Sequence, residues 1–127
     1  MADTQIIQSF IAASAITEFA LVSIDANGKV AVTTSGADVA CVGVAQRAAS
    51  AGDAVDVVTF GLTRVVAGGA LSPETEPRLS ATTAGKLIAT GAGKYPVARM
   101  IPNINQTGAA DGDQILVLFV GPTVIHA

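Results

Sequence analysis

Glycine-centred turns recur along this chain at short intervals and leave room only for short strands between them. Asn27-Gly28, Gly52-Asp53, Gly85-Lys86 and Gly112-Asp113 separate runs rich in Val, Ile and Thr. Turn signals about 8 to 12 residues apart are typical of β-sandwiches and barrels. Asn-Gly favours a tight hairpin because both residues tolerate positive φ. The pattern predicts an all-β domain whose first hairpin covers residues 19–34.

Further strands are predicted downstream from alternation and from apolar runs. Residues 39–46 alternate between small side chains on both faces, as in a strand that packs closely on each side. The run 55–59 is broken by Gly61 and resumes at 62–67, and the last strand covers 114–120. The longest purely apolar run, 115–120, is far shorter than the ~18 to 20 residues that cross a bilayer, so no membrane partner is expected.

The two halves of the chain repeat one another in outline. Leu79-Ser80 with Gly85-Lys86-Leu87 follows Val22-Ser23 with Gly28-Lys29-Val30 at a constant offset. We predict one β-domain over 19–127 that contains two similar strand sets, 20–61 and 78–121. Internal duplication and common turn chemistry are both compatible with this pattern. The proline-bounded segment 72–77 is predicted to be an exposed loop.

Composition narrows the function further. Half of the 127 residues are apolar, 13% are charged, and seven Lys and Arg face ten Asp and Glu. Disorder requires low hydrophobicity and high net charge, which this chain lacks. A nucleic-acid partner is not expected, because the basic residues are few and do not cluster.

A reaction centre is not predicted. The one histidine, His126, is the penultimate residue, and Cys41 lies between Ala40 and Val42 as a buried thiol would. The carboxylates of 111–113 fit a turn, and the Gly-Lys pair at 93–94 lacks the P-loop spacing. We expect no enzyme activity, no cofactor and no metal site.

The N-terminal segment is predicted to be a docking arm. Residues 4–15 are compatible with a helix or an extended chain, and they lack the basic residues of a secretory signal. We expect synthesis in the cytoplasm and an arm over residues 1–18. Its apolar anchors would be Ile6, Ile7, Phe10, Ile11 and Ile16. The alternative is that these side chains complete the domain's own core.

Small apolar strand faces indicate assembly. The chain has 24 alanines and 13 glycines, which let sheets or subunits approach closely. A symmetric oligomer is the simplest way to bury more apolar surface than one small core can hold.

Four segments resemble the decoration, or cement, proteins of tailed-phage capsids. They are residues 12–18, 21–30, 42–45 and 49–58, the last followed by a Gly-started hairpin at 61–67. The family pattern does not account for the loops at 72–77 and 103–110.

The resemblance implies a small β-barrel or β-tulip-like domain with an N-terminal extended arm. It also implies a homotrimer on the outer surface of the phage head, bound to the major capsid protein and stabilising the shell. Deletion of residues 1–15 would then abolish capsid binding and leave a folded trimer.

The alternative function is a non-enzymatic β-module that binds carbohydrate or another ligand through loops such as 72–77 or 103–113. The absence of Trp and the single Tyr disfavour a sugar site.

Overall fold

The described part of the chain forms nine β-strands, and the expected all-β class is confirmed. The computed structural model describes residues 5–72, 74, 76, 78–82, 84–102, 106 and 108–122. The strands are β1 (Gln5–Ile11), β2 (Leu21–Ile24), β3 (Val30–Val32), β4 (Cys41–Ala45), β5 (Ala54–Val66), β6 (Arg78–Ala81), β7 (Leu87–Ala89), β8 (Ala98–Met100) and β9 (Gln114–Phe119). They hydrogen-bond in the order β3-β2-β4-β5-β9-β8-β6-β7, and β1 pairs with β5. None of the described residues is helical, so none forms a helix that could span a membrane.

Two of the sequence predictions are settled by the strand bounds. The Asn27-Gly28 hairpin is confirmed, because β2 and β3 pair antiparallel around it and Gly28 has φ 77°. The predicted break at Gly61 and the hairpin at 61–67 are wrong. β5 runs through Gly61, which has φ 119°, and its second half pairs with β9. A residue without Cβ adopts this φ without strain, so the strand continues through the glycine.

The strand pairings divide the structure into two repeats. The first repeat, residues 5–60, contains β1 to β4 and the first half of β5. The second repeat, residues 61–122, contains the rest of β5 and β6 to β9. In the first repeat, β1 pairs with the first half of β5. The equivalent pair in the second repeat is the second half of β5 with β9. In the first repeat, β2 forms a hairpin with β3 and pairs with β4 on its other side. In the second repeat, β6 forms a hairpin with β7 and pairs with β8 in the same way.

The register repeats as well as the order. Each β2-β3 pair, from Val22↔Val32 to Ile24↔Val30, has its counterpart 57 residues later in β6-β7. Ser23 Oγ lies 2.7 Å from Thr33 Oγ1, and Ser80 Oγ lies 2.7 Å from Thr90 Oγ1. Equivalent residues can therefore be assigned one by one between the two repeats.

The described residues form two buried apolar clusters. The smaller cluster belongs to the first repeat: Ala12, Ile16, Ala20, Val22, Val30, Ala45, Val55 and Val57. The larger one contains apolar residues of the second repeat, such as Leu79, Leu87, Ile115 and Val117, together with Leu21, Cys41 and Val44 of the first repeat. The second repeat therefore packs its core onto a surface of the first.

Candidate interaction surface

The described residues contain no cluster of three or more side chains suited to a metal ion. Cys41 is buried, and burial raises the pKa of its thiol from 9.0 to about 11. A thiol held neutral in this way is a poor nucleophile at neutral pH. His126, three residues of the 72–77 loop, and residues 103–105 and 107 of the 103–113 loop lie outside the described residues.

The predicted arm is a strand of the first repeat. Residues 5–11 pair antiparallel with β5, and the backbone N–H of Ala12 donates to Asp53 O at 2.9 Å. Deletion of residues 1–15 would remove this whole strand and the buried Ala12, so it would disturb the fold as well as any binding. The deletion designed from the sequence is therefore not a test of binding alone.

The five anchor candidates separate into two groups. Ile6, Ile7 and Ile11 are exposed, by 61%, 51% and 42%. Phe10 is half-buried against the smaller core cluster, and Ile16 is 3% exposed within it. The assignment of Ile16 to an accessible arm is corrected accordingly, because its side chain completes the domain's own core.

An exposed aromatic side chain on β5 lies next to the N-terminal strand. Phe60, 48% exposed, is the cross-strand partner of Ile6, and the register shifts between Ile6 and Ile7. Partners on neighbouring antiparallel strands present their side chains to the same face. Sequence reasoning did not select Phe60, since only the β1-β5 register brings it beside the N-terminal strand. Successive side chains of a strand point to opposite faces, so Ile6 and Phe60 lie on one face of the sheet and Ile7 and Ile11 on the other. These four exposed residues, on both faces of the strand pair, are called the β1 surface below.

A different surface runs across the strands of the second repeat. Leu62, Leu118, Arg99 and Arg78 are successive cross-strand partners on β5, β9, β8 and β6. The two leucines are half-buried and the two arginines are exposed. The Glu76 carboxylate accepts hydrogen bonds from Arg78 and raises the pKa of that guanidinium. We call these four residues the arginine face.

Comparison with known proteins shows that this chain has the same fold as a solved structure. No family model matches the chain. No curated protein sequence matches it either. Among solved structures, the fold resembles the crystal structure of the head fiber gp8.5 N base in bacteriophage phi29, with a TM-score of 0.70. The match covers 96% of this chain and 99% of that chain at 13% sequence identity. At this identity the comparison defines a shared all-β fold.

Proposed function

We propose that this protein is a non-enzymatic structural component of a phage virion. It binds the outer surface of the capsid as a homotrimer and stabilises the head. The observation that carries the proposal is the fold, which matches the base of a phage head fiber over nearly its whole length. The resemblance of residues 12–58 to capsid decoration proteins points in the same direction.

The β1 surface is the proposed contact with the major capsid protein. Ile6 and Phe60 are paired large apolar side chains on one face of β1 and β5, Ile7 lies on the other face of β1, and each of the three is about half exposed or more. Burying an apolar side chain of this size contributes roughly 1.5 to 3 kcal/mol, so a few of them can anchor a protein. β1 pairs with no strand other than β5 in the described part of the chain, which also leaves a strand edge for a coat subunit.

Stabilisation follows from multivalency. A trimer presents three β1 surfaces, and after the first one binds, the others bind at high effective concentration. Separating coat subunits then requires breaking the added contacts as well as those between the subunits. The protein would be made in the host cytoplasm and would reside on the virion.

The test is co-sedimentation with expanded heads of the phage whose genome carries the gene. We expect the double variant Ile6→Ser with Ile7→Ser to lose head binding and to retain the wild-type circular dichroism spectrum, because both side chains face solvent. Val39→Ser is the matched control, since Val39 is 64% exposed and lies outside the β1 surface. Wild-type protein that stays in the supernatant contradicts the proposal, and a double variant that sediments like wild type excludes the β1 surface as the contact.

A further inference from the structure

The contact between the two repeats is not reciprocal. The N–H of Leu21 donates to Gly85 O at 2.8 Å, so the turn of hairpin β6-β7 lies against β2. The equivalent residues are Arg78 and Gly28. The N–H of Arg78 donates instead to Glu76 Oε1 at 3.0 Å, and a Cβ added to Gly28 would meet nothing within 4 Å. A two-fold arrangement would make both contacts, so the repeats are arranged head to tail.

A side-chain contact shows the same asymmetry. Gln46 Nε2 of the first repeat donates to Thr63 Oγ1 of the second at 3.0 Å. The register makes Ile101 equivalent to Gln46, because their N–H groups donate to the equivalent carbonyls of Leu116 and Asp56, and it makes Gln8 equivalent to Thr63. An isoleucine side chain cannot donate this hydrogen bond, and Gln8 is exposed whereas Thr63 is buried. The contact therefore forms only once among the described residues.

The head-to-tail arrangement leaves one unfilled contact surface on each repeat. In the first repeat, the row Val58, Val44 and Leu21 is fully buried, and Val44 and Leu21 pack among side chains of the second repeat. The equivalent row of the second repeat is Leu118, Arg99 and Arg78 of the arginine face. On the first repeat, the turn of hairpin β2-β3 and Gln8 are exposed, whereas their equivalents Gly85 and Thr63 are buried.

The charges of these two free surfaces are complementary. In the internal contact, Leu21 lies against a turn that begins at Thr82. The equivalent residues on the free surfaces are Arg78, which is ion-paired with Glu76, and Asp25, whose turn ends at Lys29. The arginine face also carries the exposed Arg99. Residues 1–60 contain six acidic and two basic side chains, and residues 61–127 contain four acidic and five basic ones. Opposite charges at the two ends favour contact between copies and disfavour contact between like ends.

We propose that copies of this chain associate head to tail, with the β2-β3 turn and Gln8 of one copy packed on the arginine face of the next. The contact repeats the one between the two repeats of a single chain, with Asp25 beside Arg78 and with Gln8 in the place of Thr63. A heterologous contact that closes on itself produces a ring, so the trimer of the proposed function would be a ring of six repeats. This inference uses the trimer of that function but not its capsid binding.

The test uses purified protein without phage heads, so its outcome is independent of capsid binding. Size-exclusion chromatography with light scattering should give wild-type protein one closed mass that is a multiple of 12.6 kDa. Gln8→Arg disrupts the surface formed by the β2-β3 turn and Gln8, and Arg99→Glu disrupts the arginine face. Each variant alone should therefore have the mass of a monomer. Arg47→Glu is the matched control, because it makes the same charge change at an exposed residue of neither surface and should keep the wild-type mass.

Mixing the two disabled variants separates a head-to-tail contact from a symmetric one. Each variant retains one intact surface, so an equimolar mixture should form a dimer of twice the monomer mass. If circular dichroism shows that either variant is less stable, Asp25→Asn and Arg99→Gln replace the pair, since Asn retains the acceptor for the turn hydrogen bonds. A monomeric wild type, disabled variants that keep the wild-type mass, or a mixture that remains monomeric would each overturn the proposal.

Discussion

Ser23 and Ser80 show how one residue type supports the same hairpin twice. Each hydroxyl bonds a threonine on the neighbouring strand, and each has a second partner fifteen residues further on. For Ser23 this partner is the Asp38 carboxylate, at 2.7 Å, and for Ser80 it is the backbone carbonyl of Tyr95, at 2.9 Å. Within the described residues, no buried side-chain N or O atom lacks a hydrogen-bond partner. Pairing of this kind avoids the cost of an unsatisfied polar group, about 1 to 3 kcal/mol each.

Cys41 leads to a prediction about alkaline pH. Burial raises the pKa of its thiol to about 11, whereas the unfolded chain ionises near 9.0. The stabilisation is complete below pH 9 and is lost as pH rises towards 11, because only the unfolded state releases the proton in that window. We expect the stability difference between wild type and Cys41→Ala to be constant below pH 9 and to shrink above it. Urea denaturation at a series of pH values measures this difference, and a difference that grows above pH 9 contradicts the assignment.

At the scale of elements, sequence reasoning located the strands whose turns have strong chemistry. Asn27-Gly28 located the first hairpin, and the repeated Gly-Lys pairs located the second at the same offset. It placed a break at Gly61 because glycine usually interrupts a strand, whereas pairing with β1 and β9 on either side of Gly61 keeps β5 continuous. Long-range pairing of this kind has no local signal, which is also why Phe60 was missed as a neighbour of Ile6.

The two hairpin turns offer a matched pair of glycine substitutions. Gly28 and Gly85 have similar φ, 77° and 70°, so alanine is strained at both by about 1 to 2 kcal/mol. At Gly85, however, the added Cβ would lie 2.7 Å from Val32 Cγ1 and 3.0 Å from Leu21 O. We expect Gly85→Ala to cost roughly 1 to 3 kcal/mol more than Gly28→Ala in urea denaturation. Equal losses would mean that the β6-β7 turn does not pack on the first repeat.

For the molecule as a whole, the larger core cluster joins the stabilities of the two repeats. Leu21 belongs to the first repeat but is fully buried among side chains of the second. We expect Leu21→Ala to cost about 2 to 5 kcal/mol, since it leaves a cavity in this shared core. Both repeats should still unfold in one transition.

Two probes measure this coupling. Tyr95 is the only tyrosine and there is no tryptophan, so intrinsic fluorescence reports on the second repeat, while far-ultraviolet circular dichroism reports on all strands. The two unfolding curves should coincide for wild type and for Leu21→Ala. Leu62→Ala is the control. Because Leu62 is only half-buried, this substitution should reduce the free energy of unfolding by less than Leu21→Ala does. Separate transitions for the two probes would mean that the repeats unfold independently.

Because the two repeats have the same pairing scheme, an unfolded chain has two similar partners for each edge strand. β1 pairs with β5 across about 40 intervening residues, and the same strand could pair with β9 across about 100. Each doubling of a loop costs only about 0.6 kcal/mol, so chain entropy alone favours the correct partner by less than a factor of ten. Selection of the native pairing must therefore come from side chains that differ between the repeats. In the native arrangement the buried positions are occupied by Leu21 and Val44 of the first repeat. Their charged equivalents in the second repeat, Arg78 and Arg99, remain exposed to water.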